Sequence, residues 1–217
     1  MSAASSLTDA LADIEEQFEA VNPGVDVLLN IGGSSLLREQ ILEGAPIDVF
    51  ASANPVVMQT ILDAELTDEA TTFAGNRATI GVPNGNPARI VGIEDFANEA
   101  LLIGLCAETV PCGSLAREIL AAAGVDAAID TSEPGVRSLL TKLGAGELDA
   151  GIVYVTDIIA SRDVIGIEIT DTLGPVTDYQ IAVLADAPNP APATDFVTFV
   201  LSTEGRSILT AHGFTAP

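Results

Sequence analysis

Two serine pairs pose the first chemical question in this sequence. Ser5 and Ser6 stand in AASSLTDALADIEEQF, and Ser34 and Ser35 stand in LLNIGGSSLLREQILE. Each pair precedes a segment whose apolar residues recur every three or four positions, so each sits where a helix begins. The first N–H groups of a helix have no partner within it, and the aligned peptide dipoles leave partial positive charge there. A small anion is stabilised at such a point, and a serine hydroxyl adds a donor to it. Two further segments open in a comparable way: Pro111 to Gly113 before SLAREIL, and Pro134 to Val136 before RSLLTKL. At any single start, N-capping accounts for serine and turn geometry for glycine. Four such starts at the C-terminal ends of strands would together surround a small anion.

The elements that must position these starts alternate. From Leu7, the residues Leu11, Ile14, Phe18 and Val21 mark a helix that NPG at 22–24 stops. VDVLLNI reads as a buried strand, a helix runs from Ser34 to about Glu43, IDVFAS is a strand and NPVVMQTILDAEL a helix. ATIGVP is a strand that ends in the turn NGNP. The pattern then repeats. EALLIGLC is a strand, PCGSLAREILAAAGV a helix stopped at Gly124, PGVRSLLTKLGAGE a helix with Pro134 in its opening turn, and AGIVYV a strand. IGIEIT and DYQIAVLAD follow as strands, and one or two helices close the chain. Alternation of this kind predicts an α/β fold with mostly parallel sheets flanked by helices, and two sets in series predict two lobes. Residues 1–79 with 182–217 form the first lobe and 80–181 the second, the strands near 80 and 181 making a hinge.

Composition narrows the partners. The 217 residues carry 31 acidic and 8 basic side chains, a net charge of −23, and Lys142 is the one lysine. Such a surface repels nucleic acid and anionic lipid at low salt and fits a halophilic setting, where screening suppresses self-repulsion. No apolar run reaches the roughly 18 residues that span a bilayer, and Met1 is followed by no basic and apolar leader of the signal-peptide kind. Cys106 and Cys112 in GLCAETVPCG form either a small-loop disulfide or two reduced thiols, according to compartment. With one histidine, His212, the chain offers no zinc cluster. The same shortage argues against a serine hydrolase built on Ser6 or Ser34, because neither lies in a G-x-S-x-G elbow and the only imidazole is His212.

In order and spacing, AASSLTDALADIEEQF, GGSSLLREQILEGAPIDVFASAN, ETVPCGSLAREIL, GVRSLLTKLGAGELDAGIVYVTD and GRSILTAHGF resemble the molybdate-binding proteins that serve ABC importers. The resemblance covers nearly the whole chain. It implies a type II periplasmic-binding-protein fold of two lobes joined by a strand hinge, which closes on molybdate or tungstate without metal ion or cofactor. It further implies a monomer outside the cytoplasm, a membrane permease as partner, and no enzymatic activity. Carried over by motif, the ligand hydroxyls fall on Ser6 and Ser34, the backbone donors on Cys112 and Val136, and the phenolic donor on Tyr154, with Ser5 and Ser35 as displaced alternatives. An unprotonated oxyanion only accepts hydrogen bonds, which agrees with a set made of donors.

There are departures from the family pattern. A strand ordinarily runs into AASSLT, and here Met1 stands almost at that point, which leaves the central sheet short of a strand or the start misplaced. The position of Cys112 is commonly alanine, and a disulfide to Cys106 would brace its loop. On pattern alone Tyr154 is a half-buried core residue with its hydroxyl at the rim. Asp48 and Asp157, at strand ends, read as helix caps or hinge contacts. Sulfate, which has the same charge and shape with shorter bonds, remains the alternative ligand. Phosphate would need a buried carboxylate to accept its proton, and an iron carrier more tyrosines than Tyr154 and Tyr179.

Overall fold

The computed structural model describes residues 1–170, 172–174 and 176–217. In chain order these form β1 (Ser2–Ala4), a single 3-10 turn at Ser5–Leu7, α1 (Thr8–Val21), β2 (Asn30–Gly32), α2 (Ser34–Leu42), β3 (Val49–Ser52), α3 (Pro55–Asp63), β4 (Thr71–Asn76) and β5 (Ala78–Pro83). A 3-10 segment at Ile93–Ala97 precedes β6 (Ile103–Cys106), α4 (Pro111–Ala123), β7 (Ile129–Glu133), α5 (Val136–Gly144), β8 (Ala150–Tyr154), α6 (Val155–Ala160) and β9 (Val164–Glu168). The chain closes with β10 (Thr177–Val183), α7 (Pro190–Leu201) and α8 (Thr203–Ala211).

These elements divide into two units, Met1–Gly75 with Thr177–Pro217, and Asn76–Val176. The sequence placed the divisions at 79/80 and 181/182, and the chain changes unit a few residues earlier each time. The reason is pairing: β5 lies wholly in the second unit, hydrogen-bonded to β8 and β9, and β10 wholly in the first, hydrogen-bonded to β3.

In the first unit the strand order is β2-β1-β3-β10-β4. β1 runs parallel to both β2 and β3, with Ala3 opposite Ile31 and Ala51, and β10 runs antiparallel to β3. Successive residues of β3 serve opposite faces, as the pleat requires. Ala51 packs with Leu11, Ile14 and Phe18 of α1, Phe196 and Val200 of α7 and Leu209 of α8. Phe50 packs on the other side with Leu37 and Ile41 of α2 and Val57, Met58 and Ile61 of α3. Phe18 meets Phe196 edge to face at 5.2 Å, an arrangement that adds to the area both rings bury.

The second unit repeats this plan in the order β7-β6-β8-β5-β9. β6 is parallel to β7 and β8, while β5 is antiparallel to β8 and to β9. Ala116, Ile119 and Leu120 of α4 cover one face with Leu105 and Ile152. Val136, Leu139 and Leu143 of α5 cover the other with Cys106 and Val153. Helices on both faces explain why β3, β5 and β8 are buried along their whole length and read as apolar runs.

Several expectations shift. The sheets are mixed, each a parallel triplet extended by antiparallel pairing. A strand does lead into Ser5: β1 is short, yet it occupies the middle of its parallel triplet. VDVLLNI is a strand only at its end, from Asn30, because its ladder with β1 starts at Ser2 opposite Asn30. Upstream, Val25, Val27 and Leu29 still pack on the core while Leu28 is exposed. Pro134 lies before α5 rather than in it, since Gly135 is still extended and serves as the N-cap. β4, β7 and α6 were not foreseen.

Candidate ligand-binding site

In each unit the first strand of the parallel triplet lies between the other two, β1 between β2 and β3 and β6 between β7 and β8, so the chain leaves it first to one side and then to the other. Open α/β sheets bind ligands at such a reversal, beyond the C-terminal strand ends. In the first unit those ends lead into Ser5–Leu7 after β1, Gly33 and Ser34 after β2, and Ala53 and Asn54 after β3. In the second unit they lead into the loop before α4, the start of α5, and Tyr154.

Among the described residues, none of the four helix starts singled out in the sequence has a side-chain cap: not the turn at Ser5, nor α2, α4 or α5. Capping is present elsewhere. Asn54 Oδ1 accepts from Val56 and Val57 at the start of α3, and Ser202 Oγ from Gly205 at the start of α8. α1, α6 and α7 also lack a side-chain N-cap: α1 continues the turn at Ser5, α6 has Asp157 accepting the Tyr154 N–H at its start, and α7, like α4, opens on proline, which has no N–H to satisfy there. The serines at 5, 6, 34 and 35 are therefore not N-caps, which was the plain explanation for them.

Ser34 is the first residue of α2 and only 1% exposed. Its Oγ accepts the Ala53 N–H at 3.1 Å, from the loop after β3. A hydroxyl has one proton, so this bond leaves the Ser34 O–H to donate elsewhere. Ser6 is half-buried in the turn after β1, and its Oγ lies 2.8 Å from Tyr179 Oη of β10. Ser5 contributes its carbonyl, which accepts from Thr8 Oγ1, and Ser35 is half-buried at the second position of α2.

In the second unit Cys112, Val136 and Tyr154 pack into one apolar cluster. Cys112 and Val136 stand in the first turns of α4 and α5, where backbone N–H groups have no partner within the helix. Cys106 and Cys112 are joined by a disulfide with their Cα atoms 5.8 Å apart. The loop it closes is tight. A Cβ on Gly113 would lie 1.9 Å from the Ala107 carbonyl oxygen, so no other residue fits there. The Arg117 guanidinium donates to the carbonyls of Cys106 and Gly113, tying α4 to the end of β6.

Tyr154 is buried at the end of β8, and its N–H donates to Asp157 Oδ2 at 2.9 Å. Burial pushes the Asp157 carboxyl up to about 6 against the pull of that N–H and of Arg137. Glu133, buried at the end of β7, accepts from Lys142 Nζ and Ser138 Oγ, and these bonds, Lys142 first, hold it below the usual carboxylate range. Asp48 accepts the Asn189 N–H just before α7. Asp48 and Asp157 thus both serve helix starts.

Sequence reasoning assigned no role to Tyr179 and found no buried carboxylate. Tyr179 carries one legible signal, since a tyrosine in the apolar strand DYQIAV must find a partner for its hydroxyl. Glu133 carries none, because IDTSE reads as a polar loop. Among the described residues, no three His, Cys, Asp or Glu side chains gather where they could hold a metal ion, and no helix is long and apolar enough to cross a membrane.

Two α/β units built to one plan, each a mixed sheet flanked by helices, match the type II periplasmic-binding-protein fold. The chain belongs to the family of bacterial extracellular solute-binding proteins, whose model matches residues 1–215. It is 39% identical over 217 residues to the molybdate-binding protein ModA of Mycobacterium tuberculosis, covering 99% of this chain and 83% of that protein. Its fold matches the periplasmic molybdate-binding protein of Azotobacter vinelandii with a TM-score of 0.82 at 18% identity, over 100% of this chain and 98% of that one. The sulfate-binding protein SubI of Mycobacterium tuberculosis matches with a TM-score of 0.86 at 18% identity, over 99% and 85%. The family is one of binding proteins, and this member is not an enzyme.

Proposed function

We propose that this protein binds molybdate or tungstate and delivers it to the membrane permease of an ABC importer, working as a monomer outside the cytoplasm. The observation that carries the reading is the set of four helix starts without side-chain caps, two in each unit, whose donors are hydroxyls and backbone amides. Molybdate is a dianion without a proton at neutral pH, and it is satisfied by donors alone. Ser6 and Ser34 donate from the first unit, with Ser5 and Ser35 nearby. The N–H groups of Cys112 and Val136 and the hydroxyl of Tyr154 donate from the second. A ligand held from both units favours a closed arrangement over an open one by its differential affinity, and the permease then reads that state. The relationship to ModA supports molybdate over other anions, and tungstate, nearly the same size, meets the same donors.

Sulfate is the second reading, favoured by the fold shared with SubI. Its shorter bonds require the same donors drawn closer together. Phosphate is disfavoured because, among the described residues, the two buried carboxylates of the second unit are engaged, Glu133 by Lys142 and Ser138 and Asp157 by Tyr154. The test is calorimetric titration of the intact chain with molybdate, tungstate, sulfate and phosphate in high-salt buffer. Submicromolar binding of the first two with little heat from the others is expected. Tight sulfate binding with weak molybdate binding would replace the reading by its rival.

A further inference from the structure

We propose that Tyr179 is a positioning residue for the Ser6 donor. Its phenolic O–H donates to Ser6 Oγ and so turns the Ser6 proton toward a bound oxyanion. The inference rests on the reading of Ser6 as a ligand residue given above.

The two hydroxyl oxygens lie 2.8 Å apart, a distance at which either can donate. The surroundings fix Tyr179. It is wholly buried, and its ring meets Phe214 edge to face at 5.3 Å. β10 runs antiparallel to β3 with Gln180 opposite Ser52, so Tyr179, the next residue back, reaches the end of the sheet at which Ser6 stands. A phenol, with its pKa of about 10, is a better donor than an aliphatic alcohol, which favours Tyr179 donating and Ser6 accepting. The single serine proton is then directed away from the tyrosine. Chained hydrogen bonds polarise one another in the same sense, which strengthens the outer one.

Ser34 supplies an internal parallel. The Ala53 N–H can only donate, so Ser34 Oγ is an acceptor from the protein and its proton is likewise turned outward. Two serines just beyond the ends of neighbouring strands therefore share one arrangement, made once with a backbone amide and once with a tyrosine. Side-chain replacement short of proline leaves the amide in place, whereas the tyrosine hydroxyl is removed by a single conservative change.

The experiment is molybdate titration of Ser6→Ala, Tyr179→Phe, Ser34→Ala and the two double variants that contain Tyr179→Phe, each checked for an intact melting transition. Tyr179→Phe is expected to weaken binding about tenfold, the loss of one hydrogen bond's contribution. Combined with Ser6→Ala it should add nothing, since the hydroxyl it orients is gone. Combined with Ser34→Ala it should multiply. General loosening of the first unit would multiply with both serine variants, so it would not give this pattern. Unchanged affinity in Tyr179→Phe, or a loss that multiplies in full with Ser6→Ala, overturns the proposal while leaving Ser6 as a ligand. Wild-type affinity in Ser6→Ala overturns both the assignment of Ser6 and the proposal. Should Tyr179→Phe fail to fold, 3-fluorotyrosine placed at position 179 of the intact chain gives the same test with a stronger donor. Molybdate should then bind more tightly when Ser6 is present and no differently in Ser6→Ala, and an unaltered affinity with Ser6 present sinks the idea.

Discussion

Asp157 Oδ2 accepts the Tyr154 N–H at 2.9 Å, so the buried carboxylate at the third position of α6 holds the residue from which that helix starts. The bond does not offset the burial, and the carboxyl is raised from its ordinary 3.8 to about 6. Below pH 3.8 it is protonated whether or not the chain is folded. Between pH 3.8 and 6 the folded chain holds the proton more tightly than the unfolded one, so stability falls as pH rises through that window, by about 3 kcal/mol. Asp157→Asn keeps an oxygen for the Tyr154 N–H and removes the titration. Urea unfolding at intervals from pH 4 to 7 should show the wild type losing stability relative to this variant. Parallel pH profiles would assign the slope to other groups.

Ser34→Ala should weaken molybdate binding by about 1 to 3 kcal/mol, because it removes a donor from a buried charge. It also leaves the Ala53 N–H without its acceptor, so the variant should lose some stability of its own. Titration and melting separate the two effects. A variant that melts earlier yet binds as tightly would take Ser34 out of the site and leave it a structural link between the loops after β2 and β3.

Replacing Cys106 and Cys112 together by alanine should cost about 2 kcal/mol of stability, the loop-closure value for so short a loop. Affinity should change little, because the donor proposed at position 112 is the backbone N–H and Arg117 still ties α4 to β6. Denaturant midpoints with and without reductant, set beside molybdate titrations, check both halves. Loss of binding in a folded double variant would show that the disulfide itself holds the donor in place.

The net charge of −23 predicts that the melting temperature rises with sodium chloride from 0.1 M to 1 M, as the screening length shrinks from about 10 Å to about 3 Å. A melting temperature that is flat or falling over this range would remove the case for a high-salt habitat.

How much of this was legible depended on whether the signal was local. GGSSLLREQIL announced a helix start after a strand, and α2 begins at Ser34 as read. ATIGVP was read to the residue as β5, since a strand buried on both faces is one apolar run. VDVLLNI carried the same signal and misled, because a strand also needs a neighbour and its ladder begins only at Asn30. β7 was missed for the opposite reason: IDTSE is polar and takes its place through pairing with β6 alone. Within the candidate site, the residue types at the four helix starts were legible, while the hydrogen-bond partners of Ser6 and Ser34 were not. Ser6 and Tyr179 are 173 positions apart, and no periodicity connects them.

The order of strands in the first unit bears on how the chain assembles as it is made. β10 lies between β3 and β4 in that sheet, although it is synthesised after the whole second unit. When residue 176 emerges, β5 to β9 are all available and the second unit can close on itself. The first has β2, β1 and β3 with an open edge at β3, and β4 has no neighbour to join. A chain stopped there would carry one finished unit and one exposed strand edge, the kind of edge that recruits other chains. The last forty or so residues are thus the keystone of the half of the protein that was made first, and truncation from the C-terminus should be tolerated far less well than the surface position of α7 and α8 suggests.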